Sequence, residues 1–355
     1  MKDFIILQLK IFAPIVVVGI FNTFVLSYNY PHVGNDMEYY SSRFIDLLLH
    51  FKCESIFKIQ WWTPTFGGGI PAYASPGHFQ FSVTPYLMFH FDPWVSTLLT
   101  CFIFTVTGYI LIFRYLYKQL KFSISTSICS ATVFATNGFW INHSMAGHVN
   151  YCTFMLIPII PYLIYSKWSN YKQIIIITLT LTYSLYSGGS TFNMLFYLSL
   201  PLIYVLFKFT NLKIFDFKKI LLNIFLAHII IVGISASKLL SVSYLLENFS
   251  RLADYSSWQP YYQVFTLTSF SQLFLWRYIF PIESFLPIPA DSILFWLIGS
   301  RYGFWENDMS LSPIVLPIIA LAFLLNCKKK SFSSIIKSNK IPIILLLLYF
   351  WFLIE

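Results

Sequence analysis

Long apolar blocks separated by short polar turns dominate the chain. A helix that crosses hydrocarbon needs about 20 apolar residues. That rule places spans near 7–28, 94–117, 122–141, 149–166, 172–188, 191–208, 219–240, 311–327 and 340–355. Two long polar-aromatic runs interrupt them, near 29–92 and 241–310. Within the first, residues 39–57 carry apolar positions at helical spacing (Phe44, Leu47, Leu48, Phe51), which predicts an amphipathic helix lying along the interface. The segments Trp61-Trp62-Thr63-Pro64, Gly67-Gly68-Gly69-Ile70-Pro71 and Thr84-Pro85-Tyr86 follow. Irregular backbone leaves polar groups unpaired in lipid, so this stretch must fold over the membrane face or line a wet cavity. The expected fold is an all-α polytopic membrane protein, one domain over residues 1–355, with about nine transmembrane helices and two large extracytoplasmic loops.

Composition agrees with that reading. Charged residues make up 10% of the chain, against about a quarter in a soluble domain. A net charge of +9 would suit a nucleic-acid partner, but its distribution argues otherwise. With the N-terminus inside, sixteen Lys and Arg fall on the inner side and seven on the outer. The outer set is Arg43, Lys52, Lys58, Lys238, Arg251, Arg277 and Arg301. That asymmetry orients helices rather than gripping nucleic-acid phosphates, and it implies a cell-membrane protein with a cytoplasmic N-terminus. Acids show the reverse bias, and the outer side receives Asp36, Glu38, Asp46, Glu54, Asp92, Glu247, Asp254, Glu283, Asp291, Glu306 and Asp308. Surface solubility explains most of these; function on the outer face is the alternative. The five cysteines show neither metal spacing nor a paired framework. Lys2 and Lys10 precede an apolar run with no small-residue cleavage site after Ser27, so the first block reads as an uncleaved span. The chain stops at the end of a span, at Glu355, as expected of a split or shortened chain as much as of a complete one.

The candidate chemistry begins at Asp36-Met37-Glu38, just past the first span. A carboxylate can take a proton from an attacking hydroxyl, and two together can hold a divalent cation against a phosphate leaving group. His143 and His148 sit in a short outer turn, where a structural role is the plainer reading. His228 lies mid-span, where a polar side chain must find a partner. Trp61, Trp62 and the many Tyr residues suit either sugar stacking or the aromatic belt.

Taken together, the acidic motif after the first span, the long first outer loop, the basic inner turns and the second large loop resemble the glycosyltransferase C superfamily. Trp62-Thr63-Pro64 with Gly68-Gly69-Ile70-Pro71, Gly147-His148, Ser187-Gly188-Gly189 and Gly303-Phe304-Trp305-Glu306-Asn307 are similar to segments of its YfhO-like branch of bacterial membrane proteins. The resemblance implies transfer of a sugar from a polyprenyl-phosphate-linked donor to an extracytoplasmic acceptor. It also implies Asp36 as catalytic base with Glu38 as its partner. The chain departs from such enzymes in having fewer spans and no soluble C-terminal domain.

A lipid-phosphate donor requires cationic or hydrogen-bonding groups at the outer interface. The candidates are Arg251 and Arg301, with His148 and Glu306 completing the substrate-binding set; pairing of each Arg with a nearby acid, Asp254 or Glu306, is the bland alternative. The sequence marks no certain cofactor; a divalent cation is the one candidate, should the two carboxylates share it. The rival readings are a non-catalytic transporter or flippase of lipid-linked glycans, and a glycan polymerase working through Arg251 and Arg301. A transporter should show ionisable residues facing each other mid-membrane, and the sequence offers only His228 there.

Overall fold

A computed structural model describes residues 13–23, 35–65, 68–145, 147–159, 162–163, 166, 168–189 and 217–248. Contacts divide the chain into two units. The first holds residues 1–136, 143–198 and 214–251, and only Asn137–Asn142 of the second is described. The described residues are mostly helical and contain no named strand. In chain order the helices are α1 (Ala13–Thr23), α2 (Asn35–Cys53), α3 (Val83–Leu87), α4 (Pro93–Arg114), α5 (Ile124–Ala135), α6 (Gly138–Met145), α7 (Asn170–Tyr186) and α8 (Phe217–Asn248). A π-helical turn at Tyr115–Gln119 extends α4, and a 3-10 helix spans Val149–Leu156.

Among the described residues two helices are long and apolar enough to cross a membrane, Pro93–Gln119 and Leu222–Leu245. The start of α4 is fixed locally. Asp92 caps it, its Oδ1 accepting from the N–H groups of Trp94 and Val95 at 2.9 and 3.0 Å, and Pro93 supplies a first-turn φ with no N–H to satisfy. Two expected spans are corrected. The block at 122–141 breaks into α5 and α6, and that at 149–166 opens as a 3-10 helix. Ser123 caps α5, and α5 then ends at Ala135. The Asn137 side chain next accepts from the Trp140 N–H, starting a new helix. Twelve residues of α-helix reach only about 18 Å, well short of a hydrocarbon core. The expected spans at 191–208, 311–327 and 340–355, and most of the 241–310 loop, lie outside the described residues.

One core joins α1, α4 and α5 through Ile15, Val18, Tyr109, Phe113, Ala131 and Ala135. A polar clamp crosses it: Asn22 Nδ2 donates to the Ala135 carbonyl at 2.8 Å and to Thr105 Oγ1 at 3.4 Å. A second contact pairs α7 with α8. The packed stripe of α8 is Ile224, Ala227, Ile231, Ser235 and Lys238, at helical spacing, and Asn223 Nδ2 reaches Gln173 Oε1 on α7 at 2.8 Å. The other faces of α8 leave Leu222, Phe225, Ile229, Val232 and Leu240 exposed.

The loop between α2 and α3 is ordered by backbone pairing. Thr63 and Ile70 exchange N–H···O bonds at 3.0 and 2.9 Å, and the Ala72 N–H donates to the Trp61 carbonyl at 2.9 Å. Gly69 closes this hairpin with φ +100, and a Cβ there would lie 2.4 Å from the Trp62 ring. Glycine is required on both counts.

Candidate functional site

Three basic side chains meet beneath the turn Tyr73–Gln80. Arg43 from α2, His78 from the turn and Lys238 from α8 are 5%, 6% and 1% exposed. Arg43 Nη2 donates to Ser75 Oγ at 3.2 Å. Lys238 Nζ donates to the carbonyls of Tyr73 and Ser75, the latter at 2.8 Å, and lies 5.1 Å from the centre of the Tyr73 ring. The Tyr73 hydroxyl pairs in turn with Ser237 Oγ at 2.8 Å, so α8 holds this turn at two adjacent residues. His78 Nε2 faces Gln80 Oε1 at 3.4 Å. That oxygen also accepts from the Gln60 N–H at 2.9 Å, and Gln80 Nε2 donates to the Lys58 carbonyl at 2.7 Å. As the shared oxygen can only accept, His78 carries its proton on Nε2. Burial, with the nearby charges of Lys238 and Arg43, holds the His78 pKa down to about 3, so the ring is neutral at pH 7. Among the described residues no carboxylate forms an ion pair with Lys238; a surface pair joins Lys58 to Glu54.

The α2 helix carries the acidic pair on the same element as Arg43. Its buried stripe is Tyr40, Arg43, Phe44, Leu47 and Phe51. Positions 36, 40, 43 and 47 fall on one line of an α-helix, so the Asp36 position belongs to that stripe. Position 38 is about 200° round the axis from position 36, in line with Ile45 and Leu49, which are 49% and 56% exposed. The two acidic positions of Asp-x-Glu therefore fall on opposite faces of one helix, with Asp36 in register with Arg43 and about 10 Å from it along the axis.

Motifs distant in sequence converge on the same stripe. The Tyr40 hydroxyl donates to Asn150 Oδ1 at 2.9 Å, and Asn150 Nδ2 donates to the Gly188 carbonyl at 3.0 Å. Gly188 has φ +80, and a Cβ there would stand 3.0 Å from the Gly77 carbonyl oxygen. Gly147-His148 and Ser187-Gly188-Gly189 are thus brought together with Pro76-Gly77-His78. His148 Nδ1 lies 2.7 Å from His143 Nδ1, and both rings stack on Tyr151. Burial and the neighbouring His148 hold the His143 pKa down to about 3.

Of the site residues expected from sequence, His148 is described, and α2 takes in positions 36 and 38 by their backbone alone; the side chains of Asp36 and Glu38, and all of Arg251, Arg301 and Glu306, lie outside what the structure describes. Two corrections concern charges. Lys238 does not belong to an outer loop, because α8 runs on to Asn248 and its register turns Lys238 into the packed face. Asp46 is not a free surface acid: it accepts from Gln60 Nε2 at 2.6 Å and ties α2 to the loop. The amphipathic helix begins four residues earlier than expected, at Asn35, and so takes in the acidic pair. Arg43, His78 and Lys238 were missed as a site. The available signal was a lysine in phase with the apolar stripe of a long helix. Among the described residues no three His, Cys, Asp or Glu side chains converge as a metal site. Comparison of the chain with family models, with curated proteins and with solved structures returns no match.

Proposed function

We propose that the protein is an integral membrane glycosyltransferase that moves a sugar from a polyprenyl-phosphate-linked donor to an extracytoplasmic acceptor. The observation that carries this reading is the register of α2, with Asp36 on the stripe that runs to Arg43 and the basic cluster. Asp36 takes the proton of the acceptor hydroxyl as its oxygen attacks the sugar carbon. The bond from that carbon to the phosphate oxygen breaks, its electron pair leaves with the phosphate, and the carbon is inverted. Two long apolar helices and the exposed aliphatic faces of α8 support a lipid setting. The helical offset of Glu38 favours Asp36 as base over a cation shared by both carboxylates, because residues i and i+2 do not face each other.

The test is transfer in purified membranes. Asp36→Asn should lower the rate by about 10²- to 10⁴-fold with normal expression and insertion. Glu38→Gln should cost far less. Glu54→Gln, in the exposed pair with Lys58, is the control and should be nearly silent. Near-normal transfer by Asp36→Asn would remove the base and with it the enzyme reading.

A second reading is favoured by Lys238. A buried lysine in an apolar helix also suits a carrier of anionic lipid-linked glycans. That carrier would move its lipid at equal rates in the wild type and in the Asp36→Asn variant, and no glycosidic bond would form.

A further inference from the structure

We infer that Cys101 and Cys152 are a modification site, joined in the mature protein by a disulfide bond that staples α4 to the 3-10 helix. The inference is independent of the glycosyltransferase reading. The structure holds both residues as free thiols, 51 residues apart in sequence, with their sulfurs 3.9 Å from each other. Each is 3% exposed, whereas the other described cysteines, Cys53 and Cys129, are exposed. The register repeats the contact. Gly108, two turns on from Cys101 and on the same face of α4, lies against Met155, one 3-10 turn on from Cys152. The two backbones therefore meet along the face that carries the thiols. A bond requires the sulfurs at about 2.05 Å. Cys152 also borders a cavity with Thr84, Thr100 and Tyr183, so its sulfur has space to turn about the Cα–Cβ bond and close the gap.

The bond requires an oxidising compartment, and the outward orientation of residues 29–92 supplies one. In that orientation Cys101 lies about 12 Å along α4 from Pro93, and Cys152 about 6 Å along the 3-10 helix from Val149, each towards the outer end of its element. Disulfides persist on the outer side of a cell membrane and are rare on the cytoplasmic side. The oxidant is a protein that carries a reactive disulfide. One cysteine thiolate attacks a carrier sulfur, forming a mixed disulfide and releasing one carrier thiol. The second cysteine attacks the first at its sulfur, forming the Cys101–Cys152 bond and releasing the other carrier thiol. Two electrons and two protons pass from the cysteines to the carrier, which leaves as a dithiol. Exchange precedes the packing of the 3-10 helix on α4, because thiols buried in the packed pair are inert. The bond closes a loop that contains α5 and α6, and it anchors the helix whose Asn150 bridges Tyr40 to Gly188.

The experiment uses the full chain expressed in a bacterium with an oxidising periplasm. The protein is unfolded in detergent with a polyethylene-glycol maleimide, which adds a fixed mass to each free thiol. The chain has five cysteines, so wild type should take three tags before reduction and five after it. Peptide mass mapping should find Cys101 linked to Cys152. Cys101→Ser and Cys152→Ser should each take four tags with or without reductant. Five tags on wild type before reduction, or a link through a different cysteine, would overturn the inference. Stability reads the same bond. Cys101→Ala and Cys152→Ala should each lower the unfolding midpoint by at least about 5 °C, and the double variant scarcely further, since either change removes the bond. Additive losses would overturn the staple. If a variant does not fold, the wild-type tag count decides by itself.

Discussion

His78 and His143 are buried without charge, and that gives the fold a pH dependence at the scale of single residues. Both have pKa values held down to about 3, against about 6.5 in an unfolded chain. As pH falls below about 6.5 the unfolded chain takes up protons that the folded chain does not, so stability is full above that value and is lost towards 3. Each group contributes up to about 1.4 kcal/mol per pH unit within that window. Thermal unfolding between pH 7 and 5, above most carboxylate titration, should show a falling midpoint. His78→Gln keeps a donor towards Gln80 and should flatten the slope. An unchanged slope would mean that His78 is already charged in the fold. Lys238 differs from both histidines in having two carbonyls and an aromatic face to offset its charge.

At the scale of elements, close packing and local caps divide the work. The α4 helix meets the 3-10 helix at Gly108, where an added Cβ would lie 2.8 Å from Met155 Sδ and 2.9 Å from the Met155 carbonyl oxygen. Backbone cannot yield as a side-chain tip can, so Gly108→Ala should destabilise by about 1–3 kcal/mol. Gly233 on α8 has nothing within 4 Å of its added Cβ. There the same change removes only a flexible backbone position and should stabilise by about 0.5–1 kcal/mol. Denaturant unfolding in detergent reads both, and equal effects at the two sites would mean that the Met155 contact is not formed. The α2 helix is tied to its loop through Asp46, and Asp46→Asn replaces a charge-assisted bond to Gln60 with a neutral one. A loss of about 1 kcal/mol, read in the same experiment, is the expected outcome.

Topology is the prediction that belongs to the whole molecule. If the 29–92 loop is extracytoplasmic, α4 carries the chain inward from Pro93 towards Lys118. Cys53 is exposed at the end of α2 and should react with a membrane-impermeant maleimide on intact cells. A cysteine introduced at Lys118, with the other cysteines replaced, should react only after the cells are opened. The reverse pattern would invert the orientation and remove Asp36 from the outer face.

The sequence by itself determined the helical class, the apolar helices near 94–117 and 219–240 and the amphipathic character of α2. These follow from local spacing and local hydrogen bonding, which neighbours along the chain decide. It also marked Asp36, Gly147-His148 and Ser187-Gly188-Gly189, since carboxylates past a span and glycines in bent backbone stand out against apolar blocks. Only the tertiary structure decided what those motifs meet. Asn150 bridges Tyr40 to Gly188, and Gly188 must be glycine because the Gly77 carbonyl stands against it, across most of the described chain. Arg43 and Lys238 read as ordinary outer charges until the registers of α2 and α8 turned both into one buried site. A charge count ranks residues by position along the chain, whereas burial depends on which helix face is covered and by what. The block at 122–141 misled for the same reason. Apolar composition measures what lipid or protein would accept, and the backbone breaks at Asn137 where a side chain starts a new helix.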